Sequence, residues 1–316
     1  PASCEDGGVH GAARPLRRLT PTQYVNTVRD LFGDAAFDSD LIEGGDIISE
    51  SEVRKLRDDA ERIAGRSAQW TKPVFPCDVT VDAGEACVND FLGGFAARAF
   101  RRPLTDEERT ALLAVYANAR ASSMTFQESM EMLLQVVLQA PAFVYLFEAG
   151  EGDASATSRK LKSYEVASRL SYFLWDTMPD DALIAAADGG ELDDPEGLQA
   201  HAKRLLDDPR AEQSVQRFVS SWLQLDGGVL HNPLEEVEKD AALYPEWNAE
   251  LQAAMRVETE AFVRRAFFEQ SGSLEELLSA KYAYVNGPLA DLYGVAGPSD
   301  AANWEWVELD GQQRGG

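Results

Sequence analysis

The chain has 316 residues, 45% of them hydrophobic, and its 54 Asp and Glu against 29 Lys and Arg leave a net charge of −25. That apolar share supplies cores for one large domain or two ordinary ones and excludes a disordered chain. The shortage of cations excludes nucleic acid as a partner, because phosphate binding needs a net cationic face.

The start, PASCEDGG, has neither an initiator Met nor a signal peptide, as expected after removal of an export signal or after trimming. Thr20 and Gln23 form a capping box, Pro21 takes the first helical position, and Tyr24, Val25, Val28, Leu31 and Phe32 mark a helix that Gly33 ends. The same box recurs at Ser49/Glu52, Thr105/Glu108, Thr125/Glu128 and Ser273/Glu276. Five starts of one kind predict a mainly α protein, a bundle-like array of many helices.

Cys77 and Cys87 flank a short polar loop containing Gly84. A disulfide there is sterically reasonable, with two free thiols the alternative; if it forms, the protein is exported. Cys4 is left over, to pair outside the chain or to remain a surface thiol. Asp78, Thr80 and Asp82 imitate a calcium loop, but Ala83 stands where Gly is required and Asn89 where Glu is.

In FAARAFRRPLTDEE (95–108), the stripe Val88, Phe91, Leu92, Phe95 and Ala99 predicts a helix ending near Arg101. Pro103 discourages helix at Arg102, and Thr105 opens the next. Arg98, Arg101 and Arg102 thus sit at a helix C-terminus, where positive charge is favoured. They are expected to pair with carboxylates of the following turn or of another helix, with anion binding as the alternative.

The longest apolar run, LLQVVLQAPAFVYLF (133–147), is interrupted by Gln135, Gln139 and Pro141. It falls short of the roughly 18 to 20 residues of a membrane span and predicts a buried helix stopping before Pro141. The polar segment EAGEGDASATSRK (148–160) reads as a linker, dividing the chain into 1–150 and 151–316. Further helices are expected at Val166–Leu174, from Asp194-Pro195, from Asp208-Pro209 through Trp222 to a stop at Gly227 and Gly228, and, longest of all, from Pro245 to Phe268.

Near the end, Trp304, Trp306, Val307 and Leu309 alternate with acidic residues like a strand that runs into the turn signal Asp310-Gly311. The hairpin looks incomplete, which places its partner beyond Gly316 or on another chain.

Signatures of chemistry are sparse. There is no nucleophile elbow, phosphate-cradling loop or dinucleotide fingerprint, and His10, His201 and His231 lie far apart, with no metal-ligand spacing. Glu258 follows the stripe Leu251, Met255, Phe262 into the core and needs a partner there. Glu165 stands one turn before Arg169, placed for an ion pair. These two are the candidate catalytic residues, with a structural role the alternative. Trp175 and Trp222, with Tyr172 and Phe173, suit core packing or a ligand pocket.

The segments LRRLTPTQYVNTVRDLFG, FAARAFRRPLTDEE, YEVASRLSYFLWDTMPDDALIAAADGGEL, RLLDDPRAEQSVQRFVSSWLQL and YPEWNAELQAAMRVETEAFVRRAFFEQSGSLEELLSAKYAYVNGPLADLYGV resemble, in order, the N-terminal and central modules of a large family of exported planctomycete and myxobacterial proteins. Those modules are domains of unknown function that often accompany cytochrome c-like domains. The family's next module commonly carries Cys-x-x-Cys-His. The resemblance therefore implies export to the periplasm, cell surface or medium, and no cofactor in this chain. A c-type haem is expected in a missing C-terminal segment. The stretch after Gly33 is shorter than the family's usual loop, and no catalytic residue carries over.

The function expected is that of a helical, non-catalytic part of an exported cytochrome-associated protein, docking a partner, an extracellular substrate or a haem module on the missing segment or another chain. The alternative is an extracytoplasmic enzyme, either an oxidoreductase completed by the missing haem segment or a hydrolase of extracellular polymers.

Overall fold

Most helix starts in this protein are fixed by side chains that satisfy the orphan N–H groups of the first turn. A computed structural model describes residues 16–41, 48–152, 159–227 and 232–311, the side chain of Ala68 apart. Cys4, His10, His231 and Gly228 lie outside the described residues, as does the middle of the expected linker. The contacts group residues up to Leu205 into one unit and those from Leu206 on into a second.

In the first unit β1 (Leu16–Arg18) precedes α1 (Pro21–Phe32) and α2 (Glu50–Ala64). α3 (Gly84–Phe91) continues through a π-helical turn at 92–96 into α4 (Ala97–Ala99), followed by α5 (Asp106–Ala121), α6 (Phe126–Gln139), α7 (Pro141–Val144) and β2 (Tyr145–Phe147). α8 (Ser163–Leu174), α9 (Asp181–Asp188) and α10 (Pro195–Leu206), whose last residue is the first of the second unit, come next. The expected capping boxes close at Thr20/Gln23, Ser49/Glu52, Thr105/Glu108 and Thr125/Glu128. Tyr24, Val28 and Phe32 of α1, Ile63 of α2 and Phe91 of α3 pack with Leu133, Leu134 and Val137 of α6 in one buried core. Each contributes about 1.5–3 kcal/mol of transfer energy.

β2 was not legible as a strand. It pairs antiparallel with β1, Leu16 opposite Phe147 and Arg18 opposite Tyr145. Three residues are too few to display a period of two, and the apolar run masks them. The pairing brings Arg18 to Glu52, whose carboxylate it meets at 2.6 Å with both side chains more than nine-tenths buried. The Ser49 backbone N–H, then the Ser49 hydroxyl and Arg18, lower the Glu52 carboxyl to about 2.

The second unit contains α11 (Pro209–Trp222), α12 (Ala249–Arg264), α13 (Leu274–Ser279), β3 (Tyr282–Val285), α14 (Gly287–Tyr293) and β4 (Glu305–Glu308). The long helix begins at Ala249, later than expected, because the Asn248 side chain caps it by accepting from Leu251 N at 2.9 Å. It runs on through a second π-helical turn at 265–269. The fifth capping box is only half made. The Ser273 hydroxyl accepts from Glu276 N at 3.1 Å, while the reciprocal bond from the Glu276 side chain to the cap is not made.

The expected strand at the C-terminus exists, but its partner is upstream. β4 pairs antiparallel with β3, Tyr284 opposite Trp306, so the hairpin expected to find its partner beyond Gly316 or on another chain already has one within the chain. Leu251 and Ala254 of α12, Ala283 and Val285 of β3, and Leu289 and Ala290 of α14 form this unit's buried core.

Cys77 and Cys87 are joined in a disulfide. In their loop Asp78 accepts from the Thr80 N–H and hydroxyl, and Asp82 from Gly84 N and Arg120.

Two measurements check these features. Closing a loop of this length removes about 2–3 kcal/mol of unfolded-chain entropy, so Cys77→Ser should lower stability by that amount in urea unfolding. Because Glu52 is depressed from its ordinary value of 4.5 to about 2, its contribution is fully present above pH 4.5 and is lost as pH falls through 2. Glu52→Ala should therefore cost about 3 kcal/mol at neutral pH by uncovering a buried Arg18, with the gap to wild type closing in that acid window.

Candidate functional site

The three arginines of the FAARAFRR joint have three separate partners. The α4 end is a Schellman turn, with Arg102 N bonded to Ala97 O at 3.1 Å and Arg101 N to Arg98 O at 3.0 Å. Arg101 occupies the left-handed position at φ 60°, where Gly is usual. Arg98 pairs with Asp181, and Arg102 holds Glu108 bidentately at 2.7 and 2.8 Å. That contact, ahead of all others, lowers the Glu108 carboxyl.

Arg101 is different: it is buried and its recorded partners are neutral. Its guanidinium donates to the carbonyls of Ala142 at 2.6 Å, Phe143 at 3.1 Å and Tyr145 at 2.9 Å, satisfying acceptors that the end of α7 leaves open. It also reaches the Tyr172 hydroxyl at 3.3 Å. The Thr27 hydroxyl donates to Gln23 O at 2.6 Å and lies 2.8 Å from Tyr172 Oη. Thr27 has one proton, so Tyr172 donates to Thr27, and the chain Arg101 to Tyr172 to Thr27 to Gln23 runs in one direction. The joint is thus a structural tie between α1, α4, α7 and α8.

The other sequence candidates also have structural partners. Glu165 accepts from Ala149 N, Gly150 N and Lys162 N, each at 3.0 Å, fastening the start of the 148–160 segment to α8 and closing the cap of that helix. The expected ion pair with Arg169 is replaced by one between Arg169 and Glu148. Three backbone donors outcompete a flexible guanidinium for Glu165. Glu258 accepts from the Tyr293 hydroxyl at 2.5 Å, linking α12 to α14. Trp175 is buried and donates to Leu205 O at 2.8 Å. Trp222 is 52% exposed and stacks with Phe218 one turn earlier, their ring centroids 6.3 Å apart. His201 meets Glu191 at 3.3 Å, and among the described residues no three of His, Cys, Asp and Glu gather to hold a metal ion.

The arrangement with most scope for binding is one the sequence signalled only in part. On the sheet of the second unit, Tyr282, Tyr284 and Trp306 occupy one face, all half-buried. Tyr284 meets Trp306 at 5.0 Å between centroids and Trp304 at 5.2 Å, the latter nearly parallel at 23°. Arg265, first residue of the π-helical turn, lies 4.6 Å from the Tyr282 ring and 4.3 Å from that of Trp306. Its Nε is buried without a hydrogen-bond partner among the described residues. Burial, followed by the Glu276 carboxylate, pushes the Tyr282 hydroxyl up to about 12. The result is a row of aromatic rings with one guanidinium against it, a surface suited to stacking and cation–π contact. The alternation of Trp304 and Trp306 was visible in the sequence; the matching alternation of Tyr282 and Tyr284 was the signal missed.

Arg101 gives a direct test of the joint. Arg101→Ala should cost about 3 kcal/mol by leaving buried acceptors unmade. Arg101→Gly removes roughly 1 kcal/mol of left-handed strain and should be the less damaged of the two, while remaining below wild type, as read from urea unfolding midpoints.

Residues 161–295 match a family model described as a protein of unknown function (DUF1592), and residues 87–148 match another described as a protein of unknown function (DUF1595). No curated protein matches the chain, and no solved structure does. The chain therefore joins segments similar to two families of unknown function, the first of which takes in Arg265, Tyr282 and Tyr284 of the aromatic face.

Proposed function

We propose that this chain is the helical docking part of an exported, cytochrome-associated protein, non-catalytic in itself, which holds a partner, a substrate or a haem module against the aromatic face of its second unit. The observation that carries the docking role is that face: Tyr282, Tyr284, Trp304 and Trp306 are half-buried, with Arg265 alongside. Large aromatic area fixed on a sheet binds with little loss of side-chain freedom. Export is supported by the Cys77–Cys87 disulfide, since such bonds persist in oxidising compartments. No helix among the described residues is long and apolar enough to cross a membrane, so nothing here depends on one. The cytochrome association rests on the sequence resemblance. The structural partners of Glu165 and Glu258 favour docking over catalysis at those positions.

Tryptophan fluorescence tests the reading. The full chain is titrated with a c-type cytochrome, with soluble polysaccharide and with short peptides. The expected result is a saturable change with one of them that Trp306→Ala abolishes without altering the circular dichroism. No saturable change up to roughly millimolar ligand, a binding energy of only about 4 kcal/mol, would overturn it.

A further inference from the structure

The β3–β4 sheet has a direction in which it can grow. Leu309 donates its backbone N–H to Lys281 O at 2.8 Å, and the register places Val307 opposite Ala283 and Glu305 opposite Val285. Hydrogen-bonded and non-hydrogen-bonded pairs alternate in an antiparallel ladder. The pairs 281/309, 283/307 and 285/305 therefore bond across, while Trp306 and Glu308 turn their N–H and C=O groups to the outer side of β4. Among the described residues the sheet ends at these two strands.

We propose that the outer edge of β4 accepts an extended, cationic polypeptide segment as a third strand. The proposal rests on the docking reading above and names its partner. Outward backbone groups supply sequence-independent hydrogen bonds, and side chains at alternate positions supply selectivity. Trp306 and Glu308 are two residues apart and share a face, so a Lys or Arg beside them meets both a ring and a carboxylate. Glu305 and Glu308 are exposed along this strand, and β4 itself, Glu-Trp-Val-Glu, contains no cation. A second copy of β4 added at this edge would set carboxylate near carboxylate, which disfavours self-pairing. A basic strand reverses that sign, in a chain whose net charge is −25.

The probe is a fluorescein-labelled peptide of about seven residues, a usual strand length, alternating Lys and Val. Its control has the same charge but carries Pro at two central positions, which removes ladder donors. Fluorescence anisotropy with the full chain at low salt should show saturable binding of the alternating peptide, about tenfold weaker for the Pro peptide and about tenfold weaker for Glu305→Lys/Glu308→Lys, whose thermal melt is recorded alongside. Equal binding of the two peptides would reduce the effect to general electrostatics and overturn the proposal, as would no binding of either. The peptide comparison uses the unaltered chain, so it decides even if the double variant fails to fold. A neutral polysaccharide that perturbs Trp306 while the alternating peptide does not bind would reject the third strand and leave the docking reading standing. No response to any ligand rejects both.

Discussion

The guanidinium of Arg101 is the constraint on which the first unit turns. A buried charge is costly unless its donors are met, and here they are met by backbone carbonyls at the end of α7 and by the Tyr172 hydroxyl. Those acceptors belong to segments more than 40 residues away in sequence, so the cation is solvated only when α4, α7 and α8 have come together. The position also requires a left-handed backbone, a conformation that costs a non-glycine residue roughly 1–2 kcal/mol. The strain persists because the side chain's bonds outweigh it. What looks in sequence like a basic patch is a cation that substitutes for water at a helix end.

The same reasoning explains what the sequence disclosed. Capping boxes involve neighbours three residues apart, so Thr20/Gln23, Ser49/Glu52, Thr105/Glu108 and Thr125/Glu128 were legible and closed as expected. Helical stripes are local too, and they gave the mainly α architecture. Choices between competing partners were not legible. Glu165 could serve Arg169 or the backbone of the preceding loop, and only the fold decides that three N–H groups are nearer. Glu276 could close its capping box or leave the Ser273 hydroxyl to make half of it, and only the Ser273 half forms. β2 is hidden in an apolar run, and the turn signal after β4 points downstream although its partner β3 lies upstream. The alternation of Tyr282 and Tyr284 held the missing information: two strands whose aromatic residues share a period of two can share a face.

Charge connects the fold to the docking reading. The structure uses its few cations internally: Arg18 goes to Glu52, Arg98 to Asp181, Arg102 to Glu108, Arg169 to Glu148, Arg204 to Asp180 and Arg256 to Glu235. Most of these pairs are partly exposed, where each contributes about 0–1 kcal/mol, so their chief effect is on where charge remains. With 54 acidic residues against 29 basic ones, pairing the cations leaves an excess of carboxylates on the surface. A sheet edge on such a surface is already guarded against its own copies by like charge. The same guard selects partners, since a strand that approaches β4 must bring the cations that this chain has committed to its own helix ends and loops. Arg265 fits the pattern from the other side: held between Tyr282 and Trp306, it steadies the rings while the outer edge of β4 keeps its acidic character.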